Sequence, residues 1–192
     1  MNTFAFKEIE KQIKQWIQLD YISPEDIPSI ELYMDQITTF MDKQLAGNKR
    51  QADDKILTKT MINNYAKNNL LPPPVKKKYS KEHVVVMIFI YYFKTILSIK
   101  DIETILTPIT EKYFDTDSAV DVASIYEEVC DTAKSQIQNL KDEVREAYET
   151  SQNTFKDMEG LSDSDREYLQ LFSLISSLSF DVYAKKALIE RI

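Results

Sequence analysis

Apolar and polar residues alternate along most of the chain with the 3.6-residue period of amphipathic helices. The spacing predicts helices at residues 4–19, 29–45, 58–68, 80–96, 98–107, 119–155 and from 162 onward. Proline and glycine mark their ends: Pro28 precedes the second helix, for which Asp26 or Ser29 is the expected N-cap, and Gly47 follows it. Thr107 and Pro108 are expected to end the fifth helix. We therefore predict an all-α fold.

The helix predicted at residues 58–68 has an unusually polar outer side. Met61, Ile62 and Tyr65 can face inward. The remaining side chains are left for solvent or a ligand, namely Lys59, Thr60, Asn63, Asn64 and Lys67. Asn69 suits a left-handed cap at the end of this helix, because Asn tolerates that conformation better than most residues. Three prolines at 72–74 then predict an extended segment.

The C-terminal part carries long apolar stripes. On the helix predicted at 119–155 the apolar residues recur at nearly heptad spacing, namely Val122, Tyr126, Val129, Ala133, Ile137, Leu140, Val144 and Ala147. Ser162 begins a last helix that is apolar on nearly all sides, so we expect it to be buried against more than one partner. The two helices can pair within one chain or across a dimer. A polar stretch at 115–118 is the expected domain boundary.

Composition narrows the class of protein. Hydrophobic residues make up 43% of the 192 residues and charged ones 29%, as in soluble globular proteins. Only two glycines occur, which argues against nucleotide-binding loops and hairpin-rich β folds. No uncharged run reaches the roughly 20 residues of a membrane span, and no secretory signal is visible. We expect a cytoplasmic protein without a membrane partner.

The charge is distributed unevenly. The net charge is −7, yet residues 43–94 hold eleven basic and three acidic residues. This basic segment includes consecutive lysines, Lys76, Lys77 and Lys78, and then Lys81. A local charge of +8 beside exposed amides indicates contact with a phosphate backbone, although many such runs only solvate a loop.

No combination of residues indicates an enzyme. His83 is the only histidine and Cys130 the only cysteine, so neither has the partners that a zinc site or a Cys–His pair needs. His83 follows Ser80 by three residues, where it can cap a helix or touch a phosphate. Cys130 is expected to be buried, and the carboxylates lack an acid–base spacing. We predict no catalytic residues, no cofactor and no metal.

The order of elements around the prolines resembles the winged helix-turn-helix of MerR-type transcription regulators. The residues that carry the resemblance are Tyr65, Leu70-Leu71-Pro72-Pro73, Tyr79-Ser80-Lys81-Glu82 and Leu97-Ser98-Ile99-Lys100-Asp101-Ile102. The wider sequence, including Leu32-Tyr33-Met34-Asp35-Gln36-Ile37-Thr38-Thr39-Phe40, also resembles the bacterial family called domain of unknown function 1836, over most of residues 26–110. The MerR resemblance implies a recognition helix at 58–68, a wing after the prolines, dimerisation through C-terminal helices and a small-molecule effector.

The chain departs from the MerR pattern at several positions. Asn63 and Asn64 stand where that family has Arg and Tyr, and the connector between the two helices of the motif is longer. The wing segment is short and lacks glycine, which argues against a regular β-hairpin. Aromatic residues that could line an effector pocket are Trp16, Tyr126, Tyr148 and Phe172, although such residues are usually part of a core.

We therefore expect a dimeric transcription regulator that binds double-stranded DNA. Residues 1–23 would form an amphipathic helix packed on the body, 24–110 the DNA-binding domain and 111–192 a helical dimerisation or regulatory region. The expected DNA contacts are Lys59, Thr60, Asn63, Asn64, Lys67, Lys76, Lys77, Lys78 and Lys81. One alternative is a protein-interaction module that keeps the winged-helix shape without DNA affinity, and another is a small-molecule sensor.

Overall fold

A computed structural model describes residues 11, 22–49, 51 and 53–192. The helix expected at residues 4–19 lies outside them except for Lys11. The elements, in chain order, are β1 (Leu32–Tyr33), α1 (Met34–Gln44), α2 (Lys59–Lys67), β2 (Lys78–Tyr79), α3 (Lys81–Phe93), α4 (Ile99–Tyr113), α5 (Val122–Gln152) and α6 (Asp163–Ile189). Two compact units divide the chain, a first unit that ends at Ala133 and a second that contains Lys134–Ile192.

Helix α3 is the centre of the first unit. All eight residues from His83 to Ile90 are buried, because the helix carries no charged residue after Glu82 and is apolar on every side from Val84 to Ile90. Around it pack α1, α2, α4 and the start of α5, which contribute Ile37, Met41, Ile62, Ile102, Leu106 and Val122 to one continuous core. The central position expected for this helix is confirmed, and it gives α2 and the proline segment a rigid base.

The beginning of α1 was predicted incorrectly. The helix starts at Met34, and the Tyr33 backbone N–H donates to Gln36 Oε1 at 2.8 Å. Neither Asp26 nor Ser29 caps it. Leu32 and Tyr33 instead form a strand with Tyr79 and Lys78, which are 47 and 45 positions away in the chain. Such distant pairing of two-residue strands leaves no periodic signal in the local sequence.

The predicted end of α4 is also wrong, whereas its start is confirmed. Ser98 caps the helix, since its hydroxyl accepts from the Asp101 N–H at 3.2 Å. Pro108 lies inside the helix, which continues to Tyr113. Pro108 removes one backbone hydrogen bond, but Leu106 is buried in the preceding turn and packing of this face maintains the helix beyond the proline.

The first turns of α5 belong to the core of the first unit. Val122, Tyr126 and Cys130 are buried, so the inward stripe steps by four residues, whereas Val129 of the predicted heptad is exposed. The Tyr126 hydroxyl donates to the Ile22 carbonyl at 2.7 Å. Cys130 is buried as expected. Tyr126 is therefore a core residue and does not line an open effector pocket.

Tyr126→Phe is expected to lower the free energy of unfolding by about 1–2 kcal/mol, because the buried Ile22 carbonyl loses its donor. Tyr183→Phe is the matched control, since the same hydroxyl is removed from an exposed residue. This substitution should change the free energy of unfolding by less than about 0.5 kcal/mol. Urea unfolding followed by circular dichroism measures both. Equal effects of the two substitutions would contradict the assigned bond.

In the second unit the later part of α5 pairs with α6 within one chain. Gly160, with a φ of +82°, lies in the loop that joins them. Side chains of α6 close this loop: Arg166 donates to the Phe155 and Lys156 carbonyls, and Gln170 donates to the Gln152 carbonyl at 2.9 Å. These bonds satisfy carbonyl groups at the end of α5 that have no helical partner.

The burial expected for α6 is not found. Only Gln170 and Leu174 are buried among its residues, and most of its large apolar side chains are exposed. Ser162 does cap the helix as predicted, accepting from the Asp165 N–H at 3.1 Å. One side of α6 contacts α5, where Gln170 donates to the Gln152 carbonyl and the Lys185 ammonium lies 3.8 Å from the Glu143 carboxylate.

Candidate nucleic-acid interface

Helix α2 turns its polar side chains outward. Ile62 and Tyr65 are buried against the core, while Thr58 caps the helix by accepting from the Met61 N–H at 3.2 Å. The exposed residues of α2 include all five predicted for it, Lys59, Thr60, Asn63, Asn64 and Lys67. They lie on a short, capped helix whose inner face is fixed. The side of α2 that could contact a ligand is therefore both polar and rigidly held.

The turn after α2 directs the chain into the proline segment. Asn69 has a φ of +55°, which confirms the expected left-handed cap. The Leu70 N–H then donates to the Tyr65 carbonyl at 3.0 Å. Leu70 and Leu71 are buried, so they anchor the chain before the three prolines.

Residues 75–78 form a β-hairpin turn with a two-residue loop, although the absence of glycine argued against a regular hairpin. Val75 and Lys78 exchange both backbone hydrogen bonds, at 3.1 and 2.9 Å. The two residues between them, Lys76 and Lys77, have φ values of +50° and +66°. Positive φ at both positions is what a type I′ turn requires, and it is strained for side chains other than Gly and Asn. The two exposed lysines form the hairpin tip.

The two short strands separate an inner face from an outer one. Leu32 pairs with Tyr79, and both side chains are buried. Tyr33 pairs with Lys78 on the opposite face, where the Lys78 ammonium lies 5.9 Å from the centre of the Tyr33 ring. Lys78 therefore belongs to an outer face that it shares with an exposed aromatic residue.

Acidic residues at 31–35, not identified from the sequence as part of the site, pair with two of the predicted cations. Lys78 lies 3.5 Å from Glu31, and Lys59 forms an ion pair with Asp35. The start of α2 and the hairpin are thus both linked to the same short segment before and within α1. The structure brings these two parts of the predicted site to one region of the first unit.

The predicted cations differ in their surroundings. Within the described part of the chain, no carboxylate pairs with Lys67, Lys76 or Lys77, and all three are exposed. Lys81 is half-buried at the start of α3. The pKa of Asp121 is lowered chiefly by the Ser124 backbone N–H and also by the charge of Lys81. Lys81 therefore interacts with the start of α5.

Not all of the positive charge counted over residues 43–94 is available at the surface, as Lys94 shows. Its ammonium donates to the Ile56 carbonyl at 2.9 Å and lies 4.8 Å from the centre of the Tyr91 ring. Burial lowers the pKa of Lys94. Lys49 is likewise paired with Asp42 at 2.7 Å. These two cations stabilise the connector between α1 and α2 and are not available to a ligand.

His83 is a buried structural residue that holds the proline segment to α3. The Ser80 N–H donates to His83 Nδ1 at 3.0 Å, so we assign the proton to Nε2, which lies 3.4 Å from the Pro73 carbonyl. The ring packs edge-on against Tyr79 and Phe114. With 3% of its surface exposed, His83 has the capping role and not the phosphate contact that the sequence left open.

The free energy of unfolding is expected to fall as the pH drops below about 6.5. Burial lowers the pKa of His83 from its ordinary value of 6.5, opposed only in part by the Pro73 and Pro72 carbonyls and by the charges of Asp115 and Glu31. The unfolded chain therefore binds a proton that the folded state excludes, which costs at most about 1.4 kcal/mol per pH unit. Urea titrations between pH 5.5 and 7.5 measure the slope.

His83→Gln is the matched variant for that titration, because Gln at this position preserves the capping-box pattern with Ser80 and does not titrate. Since the chain has no other histidine, the variant should show a nearly flat profile over the same range. A wild-type profile that is equally flat, or that falls with rising pH, would contradict the buried neutral state of His83.

The structure defines a mostly helical protein with a two-stranded sheet in its first unit. A family model described as a domain of unknown function (DUF1836) matches residues 22–129, more than half of the chain, and the chain belongs to this family. Comparisons with curated proteins and with solved structures found no match. The matched segment contains α2, the proline segment and the hairpin, so the candidate interface is part of the family domain.

Among the residues that the structure describes, no helix has the length and apolar character needed to cross a membrane. In the same part of the chain, no group of three or more His, Cys, Asp and Glu residues is arranged to hold a metal ion.

Proposed function

We propose that the protein binds double-stranded DNA sequence-specifically and acts as a dimeric transcription regulator. The observation that carries the proposal is the arrangement of α2. The amide and hydroxyl side chains on its outer side are exposed, while Ile62 and Tyr65 on its inner side are buried in the core. Residues 55–81 contain no Asp or Glu, so this stretch presents no fixed negative charge of its own. Such a surface suits a phosphate-lined groove.

Each part of the interface has a separate role in this proposal. Asn63 and Asn64 would read base edges in the major groove, because an Asn amide pairs bidentately with adenine. Lys67 and the hairpin tip would contact phosphates on either side and set the position of α2 without reading sequence. The assignment of α2 as the recognition helix is supported by the resemblance of this segment to MerR-type regulators.

The ion pairs of Lys59 and Lys78 do not prevent their use. Both pairs are exposed to solvent, where such interactions are worth at most about 1 kcal/mol and are screened by salt. A phosphate can therefore replace Asp35 or Glu31 at little cost. The same carboxylates would repel a duplex that approached from their side, which restricts its orientation.

Fluorescence anisotropy with labelled duplexes at 50 and 200 mM salt tests the proposal. The logarithm of the affinity should fall with the logarithm of salt concentration by about 0.9 for each phosphate contacted. Selection from a random duplex pool should then enrich a defined sequence. Absence of salt-sensitive binding at micromolar protein would refute DNA binding, and binding without enrichment would refute sequence specificity.

A second candidate function is a protein-interaction module that retains the shape of the domain. Exposed apolar residues beside the hairpin favour it, because Ile30, Tyr33 and Val75 are each more than half exposed. An acidic protein could then bind the lysines while covering these side chains. Binding of such a protein that is lost in Tyr33→Ser, together with no binding to DNA, would support this function over the first.

A further inference from the structure

The outer side of α2 carries one continuous strip of exposed side chains. Positions 60, 63, 64 and 67 are separated by three, one and three residues, which places them together on one face of a helix. All four are exposed, whereas Ile62 and Tyr65 on the opposite side are buried. In order from the start of the helix, the strip presents Thr60, Asn63, Asn64 and Lys67.

The two amide side chains of the strip are available to a ligand. Within the described residues, no hydrogen bond engages the side chain of Asn63 or Asn64. Asn68 differs, because its side-chain amide donates to the Asn64 carbonyl at 2.7 Å and closes the last turn of α2. Each available amide holds a donor and an acceptor side by side, and this arrangement matches the N7 acceptor and the N6 amino group of adenine.

Thr60 adds a methyl group near the start of α2. It lies in the first turn, and in helix-turn-helix proteins the first residues of the recognition helix are those that contact base edges. The 5-methyl group of thymine is the apolar feature of the major groove, and a threonine methyl contacts it favourably. Lys67 lies in the last turn, where its ammonium suits a backbone phosphate.

The side chains that most often select G·C pairs do not occur in the base-reading part of α2. Guanine is usually bound by arginine or lysine, and cytosine by a carboxylate that accepts from its N4 amino group. The sequence of α2 is KTMINNYAK, which contains no Arg, Asp or Glu. Its two lysines stand at the ends of the helix, and Lys59 is paired with Asp35. The middle of the strip therefore offers the preferred partners of adenine and thymine.

We propose that α2 recognises A·T base pairs in the major groove, with Asn63 and Asn64 paired with adenine and the Thr60 methyl packed on thymine. Recognition of A·T pairs rests on the proposed function and specifies which DNA the site selects. Each bidentate pair of an amide with adenine should favour that base by a factor of roughly 5 to 150. The methyl contact should add about fourfold, the effect of burying one such group.

Selection by the full chain from a pool of random duplexes, followed by anisotropy with the enriched duplex, tests the base preference. We expect A·T pairs to be enriched. Inosine·cytosine resembles G·C in the major groove and A·T in the minor groove, so replacing the enriched pairs with it should lower the affinity about fivefold or more. Diaminopurine·thymine has the opposite character, and this replacement should leave the affinity nearly unchanged.

The outcomes separate this base preference from DNA binding itself. Enrichment of G·C pairs would overturn the recognition of A·T pairs and leave sequence-specific binding in place. Unchanged affinity for the inosine·cytosine duplex would overturn it as well, because the preference would then arise from the shape of the minor groove. Absence of binding to every duplex would overturn both.

A double-mutant cycle tests the contact with thymine. Thr60→Ser removes the methyl group and keeps the hydroxyl, while uracil in place of thymine removes the methyl group of the base. Each change alone should weaken binding about fourfold, and both together no more than either one. Thr104→Ser is the matched control, since Thr104 is exposed on α4, and it should leave the preference for thymine over uracil unchanged. Additive effects of Thr60→Ser and uracil, with unchanged circular dichroism, would overturn the contact.

Discussion

Asn63→Ala is expected to reduce the discrimination between the selected DNA sequence and a random one by about 1–3 kcal/mol, a factor of roughly 5 to 150. Asn63 is exposed on α2, and its amide can donate and accept at once toward one base edge. Alanine removes both groups and leaves the phosphate contacts. Affinity for random DNA, and its dependence on salt, should therefore change little. Anisotropy titrations with the two duplexes measure the difference.

Asn139→Ala is the matched control, because Asn139 is exposed in the middle of α5 and the same atoms are removed. Alanine forms helix better than asparagine by up to about 0.7 kcal/mol, so both variants should be at least as stable as the wild type. A loss of discrimination in Asn63→Ala could then not be explained by unfolding. If Asn139→Ala lost as much discrimination, or if Asn63→Ala weakened both duplexes equally, α2 would not be the reading element.

The features that the sequence predicted correctly are those whose physical causes are local. Thr58, Ser98 and Ser162 each cap a helix where the pattern placed its start, since a cap needs only the side chain and the next three residues. Asn69 takes the left-handed conformation for a similarly local reason. The outward side of α2 was also predictable, because its buried and exposed positions follow the helical period.

The features that were missed depend on contacts between distant segments. Two-residue strands carry no periodic signal, so the pairing of β1 with β2 could not be anticipated, nor could the ion pairs that Glu31 and Asp35 form as a result. The length of α4 beyond Pro108 reflects packing that outweighs a local preference. The exposure of α6 is a further case, because an apolar sequence does not show how much of the helix the rest of the chain covers.

Lys76→Asn/Lys77→Gly is expected to raise the stability of the folded protein while weakening DNA binding about tenfold or more. Both lysines have positive φ, a conformation that costs side chains other than Gly and Asn about 1–2 kcal/mol per residue. Asn-Gly is the preferred sequence for a type I′ turn, so part of this strain is relieved. The free energy of unfolding should rise by only about 1 kcal/mol. Glycine also raises the conformational entropy of the unfolded chain, and this offsets the rest of the relieved strain.

The same substitution removes two exposed cations that have no acidic partner among the described residues. If both contact phosphates, the slope of log affinity against log salt should decrease by about 1.8, and all duplexes should be weakened alike. Lys76→Arg/Lys77→Arg is the control, since it keeps both charges and the unfavourable turn. It should bind DNA like the wild type and gain no stability.

In Lys76→Asn/Lys77→Gly, stability therefore rises while affinity for DNA falls only if the two lysines strain the turn and also contact phosphate. Lys76→Asn/Lys77→Gly that binds DNA as tightly as the wild type would show that the two lysines do not contact phosphate. A loss of stability in that variant would instead show that the turn does not adopt the type I′ conformation. Because Asn63→Ala affects discrimination and this substitution affects all sequences, the two results together would separate the base-reading part of the interface from the part that positions it.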